Sequence, residues 1–181
     1  RIGAEFIKVM AAPDPSFAVA GMVQTGVMRH VLPGADVSAV PILVHMEDTA
    51  PDALRRLATL GDFDWAGQLR LSNKDQVHLN ALRAAALSGA DPAALGYLHG
   101  ADLGWDAVLV RSALTQSPPN ADAKADVKRG AAQTFPLIAA DLMPEFQGPS
   151  LGAALKSAKS HWIDLQFAPT KSDLIAWLKA R

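Results

Sequence analysis

Residues 37–45 read VSAVPILVH, and they are the one stretch of the chain with β-like content. A strand here would make the protein mixed; without one it is all-helical. Pro41 decides the matter, because it has no N–H to give to a ladder and so argues against a central strand. Outward from this stretch the apolar residues recur at helical spacing. In RIGAEFIKVM (1–10), Ile2, Phe6 and Val9 fall on one stripe at i, i+4 and i+7. Val19, Met22 and Val23 point inward from a second helix, and Leu79, Leu82 and Ala86 from a third. Leu103, Ala107, Val110 and Leu114 form a further stripe. No run alternates apolar and polar residues, and no Asn-Gly hairpin turn occurs. The expected fold is all-α, an array of short helices.

Start and stop residues agree with that periodicity. Asp14 precedes Pro15, and Asp91 precedes Pro92, each placing a carboxylate cap ahead of a proline whose missing N–H does no harm. Ser72 stands three residues before Asp75, close to a capping box. The helix from Pro15 is expected to end near the LPG of 32–34, and VLPGADVSAVP (31–41) is a break. The strongest internal boundary is TQSPPNADAK (115–124), where adjacent prolines stop a helix and small polar residues follow. The expected division is 1–116, a neck and body region, and 117–181, a tail. No fixed-period repeat is evident, although the helix-turn-helix rhythm suits a repeat adaptor. The chain starts with Arg1 inside a helical pattern, which suggests a part of a longer protein.

Composition narrows the function. With 17 Lys+Arg against 18 Asp+Glu the net charge is −1, so no global field draws the chain to DNA, RNA or an acidic membrane; local patches must serve. There is no cysteine, hence no disulfide or thiolate metal site, which suits a cytoplasmic protein. No apolar run reaches a membrane span. Neither GxGxxG nor GxxxxGK[ST] occurs. His30, His45, His78, His99 and His161 are scattered singly, without metal-ligand spacing. HMEDTAPDALRRLATLGDFDW (45–65) resembles the His…His-Asp arrangement of metal phosphohydrolases, but Gly61-Asp62 stands where the second histidine is needed. Glu47 and Asp48 then serve to cap or precede a helix. No catalytic and no metal-binding residues are expected, and no cofactor. Arg55-Arg56 and Lys128-Arg129 read as solvated helix faces. Of Trp65, Trp105, Trp162 and Trp177, three lie in apolar stripes and are expected in the core.

Several stretches, in order, resemble the bacterial class II tRNA nucleotidyltransferase and poly(A) polymerase family. RIGAEFIKVM is similar to the motif that closes the family's neck, of the form ERIxxELxKLL. MVQTGVMRHVLPG (22–34) resembles its Met-x-x-x-Gly-Val-Leu…Leu-Pro segment. DALRRLATL (52–60) and LRLSNKD (69–75) resemble its Arg-Leu-Ala and RLRLSNKE stretches, and GADLGWDAVLVRSA (100–113) its Asp-Ala-Leu-Leu-Leu-Arg helix. Residues 135–167 resemble FPLxGxDLMxxGxxPGPxLGxxLxxLExxWI, with Gln147 where the first proline of Pro-Gly-Pro usually stands. The resemblance implies the neck, body and tail of such an enzyme. The intact protein would add CMP and AMP, or AMP alone, to an RNA 3′ end, with Mg²⁺ held by an Asp-x-Asp pair in an N-terminal head. Its implied partners are tRNA or another RNA 3′ end and that head domain; no DNA and no membrane. Of the neck motif this chain has Arg1, Ile2, Glu5 and Lys8, and Arg1 and Glu5 stand one helical turn apart, a spacing that allows an ion pair.

FQGPSLGAALKSAKSHWIDLQ (146–166) carries the remaining question. With Pro149 at the helix start, the amides of Ser150, Leu151 and Gly152 lack intrahelical acceptors, and the helix dipole adds positive potential. Leu151, Leu155, Ala158, Trp162 and Leu165 form a seam, while Gly152, Lys156 and Lys159 share its flank. Gly148, Ser150, Gly152, Lys156 and Lys159 are therefore the candidate RNA-binding residues. A capped core helix with solvated lysines fits the same pattern, and a helical protein-interaction module fits the whole chain.

Overall fold

The structure is a computed structural model, and it describes residues 1–180. Among the described residues there are twelve α-helices, one 3₁₀ helix and no strand. In order they are α1 (Ile2–Met10), α2 (Ser16–Gln24), α3 (Met28–Val31), α4 (Ala39–Met46), α5 (Ala53–Leu57), α6 (Trp65–Leu69), α7 (Asn73–Leu87), α8 (Pro92–His99), α9 (Ala101–Thr115), α10 (Ala123–Ala131), α11 (Gly148–Asp164) and α12 (Lys171–Lys179), with the 3₁₀ turn at Ala139–Leu142. The stretch at 37–45 is helix α4. Pro41 sits in its first turn, where no intrahelical N–H is needed.

Caps stand where the sequence places them. Ser72 accepts from the Asp75 amide at 3.1 Å and donates back to its carboxylate at 2.7 Å. Asp91 accepts from the Ala94 amide at 2.8 Å at the head of α8. Asp14 accepts from the Ser16 amide, but the segment it begins is not one helix: it turns at Thr25–Val27 and resumes as α3. Gly26, with φ at +76°, makes the turn. The inward set of α2 shrinks accordingly. Val19 is buried, Met22 half-buried, and Val23 is exposed.

Two large apolar cores result, with a smaller cluster of Ala39, Leu43, Leu109 and Ala113 between α4 and α9. The first gathers Phe6, Met10, Leu32, Val40, Leu57, Leu79, Leu82, Leu95 and Val110 from α1 through α9, together with Ala123 and Val127 of α10. Phe6 lies inside it at 2% exposure, so the stripe of α1 is open at Ile2 and not at Phe6. α10 follows the Pro118-Pro119 break, yet it lies flat against α8. A Cβ on Gly96 would stand 1.9 Å from the Val127 carbonyl oxygen, and one on Gly130 would stand 1.8 Å from that of Ala93. Only glycine permits two backbones so close. The second core is aromatic. Trp162 meets Tyr97, Phe135 and Phe167 at centroid distances of 5.4, 5.4 and 4.9 Å, with Leu137, Ala158, Leu174 and Leu178 around them. Trp65 and Trp162 are buried; Trp105 and Trp177 are half-buried.

The main correction concerns Arg55 and Arg56, which are not solvated: they are 3% and 0% exposed. Arg56 reaches the turn after α1 and donates to the carbonyls of Met10 (2.6 Å), Ala12 and Pro13 (3.0 Å). It also meets Glu47 at 2.7 Å. Arg55 bonds the same carboxylate at 3.0 Å, Asp106 at 2.8 Å and the Ala50 carbonyl at 2.8 Å. Glu47, which closes α4, is thus a buried counter-ion shared by two guanidiniums. Burial opposes the charge of Arg55, but Asp106 and Glu47 outweigh it and raise its pKa above the ordinary value. Arg111 does similar work for α7, donating to the carbonyls of Ala85, Ala86 and Ala90 near that helix's end.

Candidate nucleic-acid interface

α11 starts much as its sequence suggests, with one change. Gly148 is its first residue, at φ +55°, and Gln147 the N-cap. The Ser150 hydroxyl accepts from the Gln147 amide at 3.2 Å and donates to the Gln147 carbonyl at 2.7 Å. Its oxygen is therefore occupied in holding the turn. The Gln147 side chain donates to the Pro144 carbonyl at 3.1 Å, so the residue in the usual proline position still braces the turn. Gly148, Ser150 and Gly152 are exposed, and open space surrounds the place where a Cβ of Gly152 would stand.

Lys156 and Lys159 are also exposed and share a groove of about 590 Å³ between α11 and the start of α8. Asp91, Ser160 and Asp164 add polar groups to its lining, beside apolar Ala94, Leu98 and Ile163. The two lysines differ. Lys159 lies over the Phe135 and Tyr97 rings at 5.5 and 6.0 Å, so the aromatic core fixes its stem and head. Lys156 makes no ion pair with a described residue. The structure brings Gly152, Lys156 and Lys159 to one flank, while Leu151 and Leu155 are half-buried and Leu165 is 48% exposed. The buried seam of α11 is Ala154, Ala158 and Trp162.

At the other end of the molecule Arg1 and Glu5 are exposed on α1, and the Glu5 amide donates to the Arg1 carbonyl at 3.2 Å. The Glu5 carboxylate turns to Lys8 at 3.0 Å and not to the Arg1 side chain. Lys8, Arg29 and His30 add positive or titratable groups to the surface of this segment. Beside them runs a mainly apolar groove of about 300 Å³, lined by Ile2, Phe6, Val9, Met22 and Val31 together with Arg1 and Glu5. Among the described residues no group of three His, Asp or Glu is arranged to hold a metal, and no helix is long and apolar enough to cross a membrane.

Arg55 and Arg56 escaped the sequence reading, though the residues around them pointed to burial. In LRRLATL adjacent residues project about 100° apart. With Leu54, Leu57 and Ala58 turned inward, two successive arginines cannot both face water on a helix of five residues.

The N-terminal segment is where comparison with known proteins succeeds. Residues 1–38 match the family described as "Probable RNA and SrmB- binding site of polymerase A". They comprise α1, α2, α3 and the loop entering α4. Over this stretch the chain is similar to the RNA-binding region of polymerase A. No curated protein and no solved structure matches the chain.

Proposed function

We propose that this chain is the helical RNA-holding part of an enzyme of the tRNA nucleotidyltransferase and poly(A) polymerase family. The observation that carries this reading is the match over residues 1–38, the segment that Arg56 ties to the body through three backbone carbonyls. On this reading residues 1–116 act as neck and body and 117–181 as tail, and the RNA backbone runs over exposed cations without base readout. Gly148, Ser150, Gly152, Lys156 and Lys159 form the tail contact, and Arg1 and Glu5 stand at the neck. Nucleotidyl transfer, CMP and AMP or AMP alone onto an RNA 3′ end, takes place in a separate head domain with its Mg²⁺. The chain works in the cytoplasm, where its substrates are made.

Binding of tRNA and of oligo(A), measured by fluorescence polarisation across a salt series, tests this. Affinity should fall linearly with salt on logarithmic axes, and Lys156→Ala with Lys159→Ala should flatten the slope by up to about two units. Lys156 should contribute the larger part, because Lys159 is engaged with two rings. The 181-residue chain should leave tRNA lacking its CCA end unextended with CTP, ATP and Mg²⁺. Absence of RNA affinity at low salt overturns the reading.

One observation favours a second, protein-binding role for the same segment. The matched family's name includes a partner other than RNA, and the groove beside α1 is lined mainly by apolar side chains, with Arg1 and Glu5 among them. Capture of a protein that Ile2→Asp abolishes, with RNA affinity unchanged, would establish it.

A further inference from the structure

α11 ends in a turn whose geometry favours a residue the chain does not use there. The Phe167 amide donates to the Trp162 carbonyl at 2.8 Å and the Gln166 amide to that of Ile163 at 2.9 Å, the paired bonds of a Schellman turn. Phe167 completes the motif by meeting Trp162 edge-on at 4.9 Å. The residue that makes the turn is left-handed, and glycine usually fills the place because a Cβ is costly there. Here it is Gln166, at φ +56°. A strained backbone is thus accepted where a side chain is wanted.

That side chain joins the tail to the body. Gln166 Nε2 donates to Asp91 Oδ2 at 2.5 Å, and its Oε1 accepts from Arg129 at 3.1 Å. Both partners are held from behind. Asp91 caps α8 with its other oxygen, which accepts from the Ala94 amide at 2.8 Å. Arg129 pairs with Asp126 at 2.9 Å and lies 5.9 Å from the centre of the Phe167 ring. Asp91 lines the body wall of the 590 Å³ groove, and Ile163 and Asp164, at the end of α11, line the opposite wall. The tie therefore closes one end of the groove and fixes how far α11 stands from α8. Lys156 and Lys159 project from the same helix, about three and two turns before the tie. Asp91, Arg129 and Gln166 are all exposed, so these bonds add only modestly to stability. What they decide is the placement of α11.

We infer that Gln166 is a positioning residue for the anion site on α11. By bridging Asp91 and Arg129 it holds the lysine flank at one distance from α8, the spacing at which an RNA phosphate meets Lys156 and Lys159 together. The inference rests on the RNA-binding reading of that flank. An untied α11 would carry the same two ammoniums at a variable distance from the opposite wall, and each bound phosphate would bear the cost of fixing it. Glycine would serve the turn better and the groove worse.

Three variants separate placement from packing. Gln166→Gly relieves the left-handed residue, so its thermal midpoint should be no lower than the parent's, while affinity for tRNA at low salt should fall about threefold or more. Gln166→Glu sets a second carboxylate against Asp91 and should open the tie. Asp91→Asn together with Gln166→Glu reverses donor and acceptor: the new amide donates to the new carboxylate, the cap on Ala94 is kept, and the net charge equals the parent's. This pair should recover the affinity that Gln166→Glu loses. Should glycine lower the thermal midpoint, the swapped pair decides alone.

The tie is also read without RNA. The chain has no cysteine, so spin labels can be placed on His99→Cys in α8 and Ala153→Cys in α11, both exposed positions. Their distance distribution should be narrow in the parent, broaden in Gln166→Gly and Gln166→Glu, and narrow again in the swapped pair. An unbroadened distribution or an unchanged tRNA affinity in Gln166→Gly, or no recovery by the swap, overturns the inference. Salt-dependent binding that Lys156→Ala weakens would then leave the RNA reading standing. If the distribution broadens as expected but the parent binds no RNA at low salt, the RNA reading falls and the inference falls with it.

Discussion

The two cores solve the same problem with different materials. The first, spanning α1 to α10, has two fully buried guanidiniums at its heart, sharing Glu47 and bonding four backbone carbonyls of the turn after α1 and the loop before α5. The second, at α11 and α12, keeps its charges outside: its pairs, Lys171 with Asp141 and Lys179 with Glu145, both include an exposed lysine. Its interior is a set of rings around Trp162. A buried ion network is directional and fixes where chain segments meet, whereas edge-to-face rings mainly bury area. The region that carries the family match is thus also the one whose segments are positioned by directed bonds.

Removing Arg56 should break this contrast most severely. Arg56→Met leaves Glu47 short of one guanidinium and three carbonyls without donors, so a loss of about 3–5 kcal/mol is expected in urea or thermal unfolding. Adding Glu47→Gln should cost less than its own single effect, because the two share one network. Trp162→Ala should cost a similar amount, about 3–5 kcal/mol, through cavity formation. Its damage should be confined, however. Hydrogen exchange should accelerate in α11 and α12 and leave α7 protected. Equal acceleration in both regions would show that the cores are one cooperative unit.

Gly130→Ala comes next. Its Cβ would fall 1.8 Å from the Ala93 carbonyl oxygen, so α8 and α10 must separate, at about 1–3 kcal/mol. Lys179→Ala, on the exposed Lys179–Glu145 pair, should stay within about 1 kcal/mol. The smallest effect is one of pH beside Trp105. Bonds from Lys124 and then Trp105 hold Asp48 below its ordinary value of 3.8, so its contribution is complete above that value and is lost as pH falls through the lower folded one. Asp106, raised chiefly by burial, contributes in the opposite sense: fully below 3.8, and less as pH rises through its higher folded value. Trp105 emission should therefore report a transition at acid pH that Asp48→Asn abolishes.

Much of this was legible in the residues. Ser72 with Asp75, Asp91 with Pro92, and Pro41 against a strand each follow from local chemistry that tertiary contacts did not override. The flank of Gly152, Lys156 and Lys159 follows from period alone. Burial of charge was not legible in the same way. Whether Arg56 faces water depends on Met10, Ala12 and Pro13, some forty residues earlier in the chain, and no periodicity reaches that far. The glycines at 96 and 130 were equally silent, since a close approach belongs to two helices at once. The tie at the end of α11 draws on three segments, and only the fold brings Asp91, Arg129 and Gln166 together.

The bond from Arg56 to the Ala12 carbonyl spans 44 positions of sequence. During synthesis, residues 10–13 leave the ribosome before the side chain that will hold them exists. The end of α1 must wait, with Phe6 and Met10 uncovered, until α5 has emerged. Closing so long a loop carries an entropy cost that the bonds of Arg56 to Glu47 and to the three carbonyls help to offset. Residues 10–13 are therefore made before the arginine that anchors them and are assembled late.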